Sequence, residues 1–148
     1  MKCRIAGNLV DTDEINVIGI NGKIFMGFLV DCHVTIKLNN GEIINFDSVP
    51  SFEHASNQMS EIIKFLESNN LANFAVLGGK YVVNIDNARK ISWKSNMLGV
   101  NVVDVLCKNR HVYTLYEGGD EIYAEKLARE YIEKEERYLN AQAEKQKE

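Results

Sequence analysis

Residues 78–91 read GGKYVVNIDNARKI, and two glycines followed by a lysine invite a phosphate-binding loop. Such a loop needs its glycines after a buried strand and directly before a helix, whose N-terminus faces the phosphate. Here Gly79-Lys80 runs into the β-branched stretch YVVNI, and no Lys-Ser/Thr pair follows. The stretch reads instead as a turn between strands, its glycines supplying positive φ where the chain reverses. A cruder copy stands near the N-terminus. IAGNLVDTDEI at 5–15 and VLGGKYVVNIDNA at 76–88 share an apolar–x–Gly start and a later apolar–polar–x–Asp run, with an offset of two residues.

The same order of elements follows both copies. In the first half, RIAGNLV and INVIGI alternate as strands with DTDE between them, and NGKIFMGFLV opens on the hairpin signal Asn21-Gly22. HVTIKL puts Val34, Ile36 and Leu38 on one face, and NNG at 39–41 turns the chain into EIINF. After Pro50 the period changes. Phe52, Ala55, Met59, Ile62, Ile63 and Leu66 recur at helical spacing, with Ser51 as N-cap and Asn69-Asn70 as the end. In the second half NFAVLG, KYVVNI, ARKISW and VNVVDVLC read as strands, and Lys108-Asn109-Arg110 turns into HVYTLY. Gly118-Gly119 ends the sheet pattern, and Asp120 caps a helix from Glu121.

These patterns predict an α+β fold of two tandem strand-rich ββββα units, residues 1–70 and 73–138, packed about a pseudo-twofold axis. A C-terminal helix with a charged tail follows, residues 139–148 forming a polar tail of which NAQAEKQKE at 140–148 is expected to fray. One such unit alone has a marginal core, so the two are expected to bury their apolar faces together.

Composition narrows the function. The apolar share of 45% and the charged share of 26% are those of a globular domain, and no apolar run is long enough to cross a bilayer. The opening MKCRIAGNLVDTDE meets Asp11 too early for a secretory signal, which predicts a cytoplasmic protein. Three widely spaced cysteines, Cys3, Cys32 and Cys107, fit reduced thiols. Abundant Asn (16), Ile (14) and Lys (12) beside five Arg and one Pro suit AT-rich coding, as in a phage or other mobile element. The net charge of −4 lies entirely in residues 117–148, with ten acids and six bases, while residues 1–116 are neutral. Neither an acidic DNA mimic nor a strongly basic nucleic-acid binder has that distribution.

No catalytic set assembles. Cys32-His33, His54, Cys107 and His111 lack metal-ligand spacing, and neighbours on a strand point to opposite faces, so neither a metal nor a cofactor is expected. Cys107 ends an apolar strand, and Cys32 beside Asp31 has no cation to activate its thiol. Asp11, Asp13 and Glu14 fall in a turn, where Asp favours local backbone hydrogen bonds. The expectation is a non-enzymatic protein that binds another protein or itself, as a regulator or inhibitor, through Tyr131, Tyr138 and Leu139 of the tail helix. A nucleic-acid interface is the alternative, using Lys80, Arg89, Lys90, Trp93, Lys94 and Arg110, which interleave cations with aromatics. A small-molecule site between the units is a further alternative, and no membrane partner is expected.

Overall fold

Left-handed backbone at a few turn residues cuts the chain into short antiparallel strands. The computed structural model describes residues 1–147. At the N-terminus Ala6 and Gly7 both take positive φ (50° and 78°), so RIAGNLV is two strands of a hairpin, β1 (Lys2–Ile5) and β2 (Asn8–Asp11). The Asp11 carboxylate accepts a bond from Asp13 N at 3.1 Å and caps the 3-10 turn Thr12–Glu14. A long hairpin follows, β3 (Ile15–Phe25) with β4 (Phe28–Leu38), then β5 (Ile43–Asn45) and β6 (Val49–Ser51), both paired to β4. Helix α1 (Phe52–Ser68) closes this half, and Ser51 Oγ accepts from His54 N as its cap.

The second half opens with β7 (Phe74–Ala75) and β8 (Tyr81–Asn84). Asn84 caps a second 3-10 turn, Ile85–Asn87, by accepting from Asp86 N at 3.3 Å. The meander β9 (Ala88–Ser95), β10 (Asn101–Cys107) and β11 (Val112–Gly118) leads into α2 (Glu121–Lys147), where Asp120 Oδ1 accepts from Tyr123 N at 3.0 Å. After each 3-10 turn the strand register slips by one residue, at Asn16 in β3 and at Arg89 in β9.

The fold is α+β, with antiparallel sheets and a C-terminal helix. One sheet has the order β5-β4-β3-β8-β7 with β6 also on β4, another is β11-β10-β9, and β1-β2 stands apart. The core forms two clusters that trade residues between the halves. Phe74 and Val82 pack in the first, with Ile63 and Leu66 of α1, while Val17 packs in the second, with Leu127 and Tyr131 of α2. Buried amides seal the junction: Asn84 and Asn87 Nδ2 both donate to Ile15 O, at 2.8 and 2.7 Å. Such pairing removes the cost of burying the amides.

Four sequence expectations are corrected. Asn21-Gly22 is not a turn; the reversal is at Met26-Gly27, both at positive φ (50° and 82°), and the strand register slips at Gly22. Gly78 and Gly79 do not supply positive φ, which falls on Val76 (66°). They are needed for close approach, because a Cβ on Gly79 would stand 3.1 Å from the Val76 side chain and 3.3 Å from Leu115 O. Residues 140–147, expected to fray, continue α2, since Ala, Gln, Glu and Lys are good helix formers; Glu148 lies outside the described residues. The boundary at 70–73 is not a boundary of the sheet, because β7 and β8 extend the sheet of the first half. Among the described residues no helix is long and apolar enough to cross a membrane.

Candidate interaction site

The β3–β4 hairpin outgrows its sheet. β8 accompanies β3 only from Val17 to Gly19, and on the other side β6 accompanies β4 only as far as Val30. Among the described residues, no further strand pairs with either of them beyond the Lys23↔Val30 pair. Their pairing puts Phe25 opposite Phe28 and Ile24 opposite Leu29. Leu29 folds back, its Cγ only 3.0 Å from where a Gly22 Cβ would lie. The tip does not fold back. Ile24, Phe25, Met26 and Phe28 are 80, 64, 84 and 73% exposed. A bare two-stranded ribbon is marginal in water, and four large apolar side chains at its end add a solvation cost. We call residues 23–30 the arm.

A groove opens at the root of the arm. It has a volume of about 730 Å³ and runs between α1 and the second half, lined by Ile20, Phe52, Met59, Leu77, Tyr116 and Tyr123 among others. Phe52 follows Ser51, which pairs with Val30 at the root of the arm, so arm and groove share a wall. Phe52 and Leu77 are more than half exposed. Val76 is fully buried at a φ that β-branched residues avoid, and Leu77, the next residue, stands out at the groove's lip. Tyr123 donates its hydroxyl to Gly78 O and fixes the same loop from the α2 side.

The residues expected on the tail lie elsewhere in the architecture. Tyr131 is 1% exposed and packs in the second core beneath β9 and β10, so it does not project. Burial pushes its phenol up, and the nearby Glu135 carboxylate adds to this, although among the described residues the hydroxyl makes no hydrogen bond of good geometry. Tyr138 is half-buried, docked where the Asp86 carboxylate raises its phenol above the ordinary value. Only Leu139 is exposed. Lys134 holds this part of α2 down by donating to Phe74 O at 3.0 Å and approaching Glu67 at 3.6 Å.

The cation–aromatic set is divided. On β9, Lys90 and Lys94 alternate with Trp93 and therefore occupy the opposite face. Trp93, 38% exposed, lies opposite Val103 and donates Nε1 to Asn101 Oδ1 at 3.0 Å. The lysine face also holds Asp104 and Glu117, in register with Ser92 and Val102, which balance the two lysines. Arg89 is the exposed extra residue at the register slip, Arg110 sits in the β10–β11 turn at φ 73°, and Lys80 lines the groove with Nζ 5.5 Å from the Tyr81 ring. They do not form one platform.

All three cysteines are free, and burial raises the Cys107 thiol to about 11. Among the described residues no three His, Cys, Asp or Glu side chains converge as metal ligands do. The arm was missed in the sequence because its apolar residues were read as strand. The signal present was KIFMGFL, an apolar run on both faces at a reversal, where a solvated hairpin would alternate. Comparison with protein-family models, with curated proteins and with solved structures finds no match to this chain.

Proposed function

We propose that the chain is a non-enzymatic binding protein that works through protein–protein contacts, as a regulator or inhibitor would, and that the arm rather than the tail helix makes the contact. The observation that carries this reading is the set of four large side chains at 64–84% exposure on a ribbon with no flanking strand. Solvated single apolar residues are ordinary; a contiguous apolar tip rimmed by Lys23 and Asp31 is the anatomy of a contact surface. Met and Phe supply large area that adapts to its partner's shape.

In the same reading, the two halves are copies of one unit related by a pseudo-twofold axis. Support comes from the matched Asp11 and Asn84 caps, the register slip just after each 3-10 turn, and the meander and helix that follow in each half. The first hairpin is longer than its counterpart, with strands of eleven residues against eight and seven, and the added length is the arm.

The test is capture of partners from extract of the source cells, with and without nuclease treatment, on the immobilised full-length protein. A protein band should be retained by wild type and by Tyr138→Ala, and lost with Phe25→Asp combined with Phe28→Asp. Retention by all three removes the arm from the contact. A nuclease-sensitive band alone points to the nucleic-acid reading.

A further inference from the structure

We infer that the partner covering the arm is a second copy of this chain, with each arm lying in the groove of the other copy; this rests on the reading of the arm as a protein-contact surface. Three observations converge on it.

The first is placement. Arm and groove form one continuous patch, joined through Ile20 on β3 and through the Val30↔Ser51 pair that leads into Phe52. A twofold axis passing close to a patch that holds both a protruding element and its receptor lets each arm reach the other copy's groove at once, which closes the assembly as a dimer. The second is chemistry. The tip offers Ile24, Phe25, Met26 and Phe28, and the groove offers Phe52, Met59 and Leu77. The charges at the edges are also complementary, Lys23 and Asp31 flanking the arm and Lys80 and Glu117 flanking the groove. The third is area. Covering the four tip side chains with Phe52 and Leu77 in both copies hides on the order of 1,200 Å², the lower end for a specific interface.

Arm exchange also supplies what the ribbon lacks alone. The outer edge of β3 beyond Gly19 has no strand beside it, and such an edge invites uncontrolled pairing unless covered. Seated in a neighbour's groove, it is shielded.

Sedimentation equilibrium across the micromolar range tests this. Wild type should sediment at twice the 16.8 kDa chain mass. Phe25→Asp with Phe28→Asp, and separately Leu77→Asp in the groove, should each sediment as a monomer with an unchanged far-UV spectrum, and should lose the rise of melting temperature with protein concentration that the wild-type dimer shows. Mixing a Phe25→Cys chain with a Leu77→Cys chain, both with Cys3→Ser, should give a disulfide-linked dimer under mild oxidation that neither gives alone. A monomeric wild type overturns the inference, and if arm-dependent capture of another protein persists, the proposed function stands without it. Self-linking of Phe25→Cys alone overturns the arm-in-groove arrangement in favour of arm against arm. A dimer indifferent to all the variants overturns the inference, and capture equally indifferent to the arm removes both readings.

Discussion

Tyr131 shows how much a single atom can matter in the second core. Its ring is packed among Val103, Val105 and Leu127, and its hydroxyl is buried with the Glu135 carboxylate nearby but, among the described residues, no hydrogen bond of good geometry. An unsatisfied buried hydroxyl costs about 1–3 kcal/mol, so Tyr131→Phe should stabilise the fold by about 1 kcal/mol. A lower melting temperature for that variant would show that the hydroxyl has a partner after all. Cys107 gives a second residue-scale prediction. With its thiol raised to about 11, it should resist alkylation in the native state, as should the fully buried Cys32, leaving Cys3 as the one fast-reacting thiol. Mass spectrometry after brief alkylation should find one adduct natively and three after denaturation. Because the folded thiol titrates above its unfolded value, its share of stability is intact below the unfolded pKa and is lost as pH climbs towards about 11. Capping was legible at this scale: Ser51 and Asp120 are where side-chain chemistry requires them. The roles of Gly78 and Gly79 were not, because close approach depends on Leu115 and Tyr123, which are distant in the chain.

Among the elements, the two helices differ in what holds them. α1 is held by its stripe: Ala55, Ile63 and Leu66 are buried, Met59 and Ile62 partly so, and Phe52 is left to the groove. Ile63→Ala should destabilise by about 2–4 kcal/mol, as large-to-small changes in a core do, read by chemical denaturation. α2 outlasts the sheet beneath it and is held there by specific contacts, Lys134 on Phe74 O and Tyr138 beside Asp86. The raised Tyr138 phenol is neutral at moderate pH. Its docking therefore contributes fully below the ordinary phenol range and is lost as pH rises through the raised value. Amide exchange in residues 139–146 should accelerate at alkaline pH in wild type, and Tyr138→Phe should abolish the part of that response due to phenol ionisation. An identical response in both would place the anchor elsewhere. The helical periods and the Glu125–Arg129 pair were legible in the sequence. The reach of Lys134 to Phe74 O was not legible, since Glu130 four residues earlier offers a local pair and a contact with another strand leaves no mark in the sequence.

For the molecule as a whole, the α+β class and the order of strands and helices followed from periodicity and turn residues. The sharing of the sheet did not. Nothing local in YVVN says that it pairs with Val17–Gly19 rather than with its own half, because pairing across sixty residues is decided by which apolar faces fit. The arm was illegible for a related reason: whether an apolar strand residue is covered depends on how far its neighbours extend. That crossover has a consequence for the life of the chain. As synthesis proceeds from the N-terminus, the first seventy residues emerge with α1 complete but without Phe74, Val82 and the strand that borders β3. They must wait, incompletely assembled, until Asn84 has cleared the ribosome. A protease nick between the halves should therefore leave both fragments associated, while neither fragment made alone should refold, and the two co-expressed from separate messages should recover the native structure together.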